Sequence, residues 1–146
     1  MTRTRLARQP TPYGLYARRM TQLEAPKRID VQEAWSMIAE ARAPVFIDTR
    51  NPKHWEQSTH QIPGSLRIWR MELEERIDEV PRGRPLVTYC SCHYEHSSTR
   101  AALILEEYDF TDIHILVGGF NAWRDAGLPL EEKQSAFSAR QSAETV

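Results

Sequence analysis

The residues of this chain best suited to chemistry lie together in one run, Cys90-Ser91-Cys92-His93-Tyr94-Glu95-His96-Ser97-Ser98. It holds both cysteines of the 146-residue chain, one residue apart. A pair so close cannot staple a small secreted fold, so it points to thiol chemistry or to metal binding. The thiolate is the nucleophilic form of cysteine. A free thiol titrates near ~8.5, and a helix N-terminus lowers that value. A strand, Leu86-Val87-Thr88-Tyr89, runs into the loop, and a helical stretch from Thr99 to Tyr108 leaves it. A tight loop entering a helix turns several backbone N–H groups inward, and the helix start adds roughly half a positive charge. Such a cradle stabilises an anionic sulfur or an anionic sulfur donor. Ser97 and Ser98 are expected to cap the helix and to donate hydroxyl bonds into the cradle. His93 and His96 either raise the local positive potential or are exposed loop histidines. Glu95 works against an anionic ligand, since a carboxylate near a thiolate raises its pKa, unless its side chain points outward. Cys90, Cys92, His93 and His96 also make a candidate zinc loop, although four ligands within seven residues seldom reach one tetrahedral centre.

These residues need elements to position them. Val31, Ala34, Trp35, Ile38 and Ala39 follow helical spacing after Asp30, which with Glu33 forms a capping pair. Val45-Phe46-Ile47 reads as a strand buried on both faces. A helical turn is expected near Lys53 to Gln57, a turn at Ile62-Pro63-Gly64-Ser65, and a strand at Leu66 to Trp69. Leu73, Ile77 and Val80 mark a short helix stopped by Pro81 and Gly83. Ala101, Ala102, Leu105 and Tyr108 line the helix after the loop. Ile113 to Val117 is the last strand, and Phe120, Ala122 and Trp123 sit on a final helix closed by Gly127. Strands alternating with helices imply a parallel sheet covered on both faces. Ligands of such sheets bind outside the carboxyl ends of the strands, where the cysteine loop falls.

Composition fits one soluble globular domain, with 40% hydrophobic and 27% charged residues and a formal net charge of −1. That charge gives no reason to expect nucleic-acid binding. The ends differ from the middle. Five arginines and no acid fall between Met1 and Leu23. This stretch, residues 1–24, reads as a basic arm for a membrane surface, an acidic partner or an import system, or as a poorly ordered terminus. The domain proper is expected over residues 25–131, followed by a polar tail over 132–146. No run approaches the roughly 18–20 apolar residues of a membrane span, and no secretory h-region is seen, so the cytoplasm is the expected location.

Four motifs in order resemble the rhodanese family over about Arg28 to Glu131. Val45-Phe46-Ile47-Asp48-Thr49-Arg50 resembles its first signature, an apolar strand ending in Asp-x-Arg, with Trp55 at the following aromatic position. Ile62-Pro63-Gly64-Ser65 resembles its Ile-Pro-Gly turn. Tyr89-Cys90 through Ala101-Ala102 resembles its active-site strand, loop and helix. Gly118-Gly119-Phe120-Asn121-Ala122-Trp123 with Gly127-Leu128-Pro129 resembles its C-terminal signature. The resemblance implies an α/β fold, doubly wound around a mainly parallel five-stranded sheet. It implies transfer of sulfane sulfur from thiosulfate or a persulfide, through a cysteine persulfide, to a thiol or cyanide, with no cofactor and no metal. The partners it implies are a small-molecule or protein persulfide donor and a thiol acceptor.

The chain departs from the family pattern in three places. Gln61 stands where a histidine precedes the Ile-Pro-Gly turn, and His54 where a glutamate precedes the aromatic. The nucleophile has two candidates. Counted from the strand, Cys90 occupies the position; counted back from Ser98, Arg100 and Ala102, Cys92 gives the usual loop length and is preferred. Cys90 is then a resolving thiol or a strand-end residue beneath the loop. Residues His93 to Ser98 form the sulfur-binding loop in either case. In this family Asp48 and Arg50 support the loop, and Trp123, Trp35 and Phe120 are read as core. Phosphatases of this fold place an arginine six residues after the cysteine; here that position holds Ser98 or His96. A non-catalytic binding module is the other alternative. The loop has no Lys or Arg between Cys90 and Thr99, which points to weak thiosulfate affinity and a preference for a thiol or persulfide donor.

Overall fold

The computed structural model describes residues 25–91 and 95–133. The basic arm, the residues Cys92, His93 and Tyr94, and the tail from residue 134 lie outside the described residues. Strand β1 (Lys27–Ile29) leads to helix α1 (Val31–Ile38), then β2 (Val45–Asp48), α2 (Pro52–Gln57), β3 (His60–Gln61) and β4 (Leu66–Arg67). Strand β5 (Leu86–Tyr89), helix α3 (His96–Glu107), β6 (Ile113–Leu116), α4 (Gly119–Asp125) and β7 (Glu131–Glu132) complete the chain. Five strands form a sheet in the order β1-β6-β5-β2-β4, and every pairing in it is parallel.

The central strands are buried along their whole length, as their unbroken apolar runs require. One core, built on Ile47, Leu86, Leu105 and Ile115, lies on one face of the sheet. The other, built on Phe46, Val87, Leu116 and Trp123, lies on the opposite face. From β2 the chain winds outward to β4; from β5 it winds the other way to β6. The strand order therefore reverses between β2 and β5. The two connections leave these carboxyl ends in opposite directions and open a crevice there.

Several elements differ from the sequence reading. Leu73, Ile77 and Val80 do not sit on an α-helix. Two 3₁₀ turns, Arg70–Glu72 and Ile77–Glu79, span the region, and Leu73 and Val80 still reach the core. Helix α1 is capped by Asp30, whose carboxylate accepts from Glu33 N (2.8 Å). Its inward side carries Val31, Ala34 and Met37, while Trp35 is 41% exposed. Trp35 is thus not core, although its ring meets Trp123 edge-on at 6.0 Å. Glu132, expected in the polar tail, forms β7 with Glu131: β7 pairs antiparallel with β3, and Lys133 N continues the contact to Thr59 O (3.0 Å). Among the described residues, no helix is long and apolar enough to cross a membrane.

Candidate functional site

The crevice between β2 and β5 is bordered by two unlike structures. The first starts at the end of β2. Asp48 and Arg50 are both buried and paired side by side, with Arg50 Nη2 donating to Asp48 Oδ2 (2.7 Å) and Nε to Oδ1 (3.0 Å). Arg50 Nη2 also donates to His60 O (3.0 Å). Tyr89, at the end of β5, donates its hydroxyl to Asp48 Oδ2 (3.1 Å) and accepts from Ile62 N (3.2 Å). Ser65 Oγ stands 2.8 Å from the same hydroxyl. The Asp-x-Arg pair and the Ile-Pro-Gly-Ser turn are thereby joined through one tyrosine. Burial, reinforced by the Asp48 carboxylate, pushes the Tyr89 phenol far up, so it stays protonated and keeps donating. The Arg50 guanidinium lies 4.3 Å over the Phe120 ring, which binds it to α4 as well.

Arg67 and the C-terminal strap close this side. Arg67 donates to the carbonyls of Asp48 and Arg50 and covers the Trp55 ring at 5.0 Å. Burial is the main influence lowering its pKa. Lys133 Nζ sits over the same ring at 3.4 Å and bonds Trp55 O. Gln61, the departure from the family's histidine, donates to Glu131 of the strap (2.7 Å).

The second structure is the cysteine loop. Cys90 is 1% exposed, and its Sγ faces Ser98 Oγ at 3.5 Å. Its carbonyl accepts from Phe120 N (2.8 Å) at the start of α4. Gly119 is what allows this approach: it has φ +57°, and a Cβ there would collide with Cys90 O. Cys90 is therefore walled in beneath the loop by α3 and α4. Ser91 is the first residue to reach the crevice. The preferred nucleophile Cys92, with His93 and Tyr94, lies outside the described residues. The candidate zinc loop includes two of these three; among the described residues no group of three or more metal-type side chains is found.

The chain resumes at Glu95, a non-glycine residue at φ +50° that caps α3 without a side-chain bond to it. Its carboxylate does not point outward. It is buried, pairs with Arg28 of β1, and accepts from Gly118 N (3.4 Å). Arg28 supplies the opposite charge, so Glu95 anchors the base of the loop to β1 and the β6–α4 turn. Nothing local in the sequence announces this pair, which spans 67 positions. Ser98 is not the cap residue of the helix, a place Glu95 takes; its hydroxyl donates to Glu95 O (3.2 Å) and faces the Cys90 thiol. Ser97 is buried in the same first turn, while His96 is exposed.

His54, noted from sequence only as a departure, meets the loop directly. Its Nδ1 lies 3.1 Å from Ser91 Oγ. Asn51 caps α2 by accepting His54 N on Oδ1 (2.8 Å), which turns its Nδ2 toward the same ring nitrogen (3.5 Å). Asn51 followed by proline and, at the third position, His54 is a legible cap signal; the contact with Ser91 is not. His54, Ser91, Arg50, Phe120 and Arg124 enclose a cleft of about 310 Å³.

Residues 30–126 match the rhodanese-like domain family. The chain belongs to that family. Its relatives include the thiosulfate sulfurtransferase GlpE of Actinobacillus succinogenes, 30% identical over 70% of this chain and 88% of that protein. GlpE of Ectopseudomonas mendocina is 31% identical over 75% and 94%, respectively. Among solved structures, a rhodanese-related protein from Thermoplasma volcanium superposes with a TM-score of 0.61 at 20% identity, covering 73% of this chain and 99% of that one. A Rhodopseudomonas palustris protein of unknown function, described as a possible tyrosine phosphatase, gives a TM-score of 0.60 at 28% identity, covering 73% and 85%. The doubly wound rhodanese fold expected from the motifs is the fold observed.

Proposed function

We propose that this rhodanese-family chain is a sulfurtransferase that carries sulfane sulfur on Cys92. The Cys92 thiolate attacks the outer sulfur of thiosulfate, the S–S bond breaks, and its electron pair leaves with sulfite. The enzyme is left as Cys92 persulfide. A thiol acceptor gives up its proton and attacks the outer sulfur as thiolate; the new persulfide departs and the Cys92 thiolate returns. A persulfide donor enters by the same first step, with a thiolate as leaving group, and cyanide serves as an alternative acceptor.

The observation that carries this reading is the sealing of Cys90. Its thiol is buried against Ser98 and its carbonyl is tied to Phe120, so a substrate in the crevice has no path to it. Among the described residues of the loop, Ser91 lines the crevice, and the next thiol in sequence is Cys92. The start of α3 at His96 adds its dipole to the same loop. The relatives' activity agrees. A phosphatase reading finds less support, because Arg100 is exposed on α3. Incubation with thiosulfate followed by intact-mass measurement tests the assignment. The expected result is a gain of one sulfur, removed by cyanide or dithiothreitol, present in Cys90→Ser and absent from Cys92→Ser. The reverse pattern moves the nucleophile to Cys90; no adduct in the unaltered protein leaves a binding module.

A further inference from the structure

Glu95 combines three features that seldom meet in one residue. It takes the left-handed conformation (φ +50°, ψ +36°), its carboxylate is buried, and it stands where the cysteine loop passes into α3. The left-handed conformation strains any residue with a Cβ and persists only where the surroundings hold it. The backbone is held from α3, with Glu95 O accepting from Thr99 N (2.9 Å) and Ser98 Oγ (3.2 Å). The side chain is held from other elements. One carboxylate oxygen pairs with Arg28 Nη2 and the other accepts from Gly118 N (3.4 Å). These two partners sit on one joined platform, because Val117 N donates to Ile29 O (2.8 Å) where β1 meets the end of β6. Among the described residues Arg28 is the one charged group that pairs with Glu95, and Glu95 the one that pairs with Arg28.

The ion pair also decides what charge the loop base carries. Cys92 precedes Glu95 by three residues, at most about 11 Å of chain. At that range and an intermediate dielectric, an uncompensated charge moves a neighbouring pKa by about half a unit. We propose that Glu95 and Arg28 are a positioning pair for sulfur transfer: Glu95 ties the loop base to β1 and the β6–α4 turn, and Arg28 cancels the negative charge that this tether brings beside the sulfur. The proposal rests on the reading of Cys92 as sulfur carrier. The other charged and titratable groups at the crevice, Arg50, His54 and Arg124, stay in place in every variant below. Arg28 is 53% exposed, so its replacement disturbs no core.

Two measurements test it. The first needs no turnover: alkylation of Cys92 by iodoacetamide against pH, followed by peptide mass. Glu95→Gln keeps the side-chain length and leaves Arg28 unopposed, so the midpoint should fall by about half a unit. Arg28→Met leaves the carboxylate unopposed, and the midpoint should rise by a similar amount. Arg28→Lys should stay near the unaltered protein, and the double variant Arg28→Met with Glu95→Gln should return to it. A contact that serves the fold alone would not move the two single variants in opposite directions. The second measurement is single-turnover persulfide formation from thiosulfate, at a pH above all these midpoints, where the thiolate is complete. Glu95→Gln, Arg28→Met and the double variant should each be about tenfold slower, because the tether is loosened whatever the charge, and Arg28→Lys should recover part of the rate. Midpoints that stay in place, or move the same way in both single variants, overturn the proposal, as does an unchanged thiolate rate. Opposite midpoint shifts without persulfide in any variant uphold the pair's hold on the thiol and overturn the transferase reading.

Discussion

The two walls of the crevice are built on opposite principles. On the β2 side, Asp48, Arg50, Tyr89 and Ser65 form a buried network in which nearly every polar atom is matched. On the loop side, Ser91 and His54 keep hydrogen-bonding capacity turned toward solvent and the cleft. A matched buried network is rigid because any rearrangement leaves a charge unpaired in a low-dielectric interior. An unmatched polar surface is costly to build but ready to bind. Arg50 belongs to both walls: its guanidinium is paired with Asp48 and His60, and its side chain borders the cleft.

The contrast is broken most directly at that residue. Arg50→Met keeps much of the bulk over Phe120 and leaves Asp48 buried without its partner. A loss of about 3–5 kcal/mol is expected from urea unfolding. The double variant Asp48→Asn with Arg50→Met should lose less than the single one, since no orphan charge remains. If the single variant loses under ~1 kcal/mol, the network is not the rigid wall described.

The opposite wall is best disturbed at Gly119. Gly119→Ala forces a side chain into a left-handed conformation and against the Cys90 carbonyl. The strain and the displaced contact together should cost about 2–4 kcal/mol. Because the displaced group is the base of the loop, persulfide formation should slow by more than the folded fraction alone accounts for. A variant equally unstable but fully active per folded molecule would show that the anchor at Cys90 does not set the loop.

Tyr89 joins the walls and gives the comparison a pH axis. Tyr89→Phe removes the donor to Asp48 and the acceptor for Ile62 N, for an expected loss of about 1–3 kcal/mol. Burial raises the phenol's pKa in the folded state. The stability this proton contributes is complete below the unfolded value of ~10 and declines as pH rises beyond it. Unfolding followed between neutral pH and pH ~11 should therefore show a shallower alkaline decline in Tyr89→Phe.

How much of this was legible depends on the range of the interactions. Val45 to Ile47 and Leu86 to Tyr89 are continuous apolar runs, and a run buried on both faces can hardly be anything but a central parallel strand. The Asp48-x-Arg50 pair is also local, two residues apart. By contrast β1, β3 and β7 are two or three residues long, too short to show a period, and depend on partners far along the chain. Helix α1 shows a real helical period, but eight residues on the flank of a sheet leave its rim exposed, and so Trp35 is misplaced. The site divides in the same way. The cysteine loop is visible as a composition cluster, whereas Glu95 with Arg28 and His54 with Ser91 are contacts between elements that no spacing rule reaches.

The smallest expected effect concerns the strap, which sequence composition assigned largely to a loose tail. Glu131 accepts from Gln61 Nε2 (2.7 Å) and Gly64 N (3.0 Å), and so pins β7 beside the Ile-Pro-Gly turn. Gly64 is exposed, so water can replace the lost partner, and Glu131→Ala should cost only about 0.5–1.5 kcal/mol, a few degrees in Tm. The turn itself is also held from inside by Ser65 and Tyr89, which is why the loss should stop at the strap. Persulfide loading should be unchanged, because neither Cys90 nor the His54–Ser91 contact touches β7. A loss well above ~2 kcal/mol would exceed what one pair of exposed hydrogen bonds supplies. It would mean that the strap and Lys133 over Trp55 brace the Arg50 wall, and that the rigid side of the crevice extends to the end of the described chain.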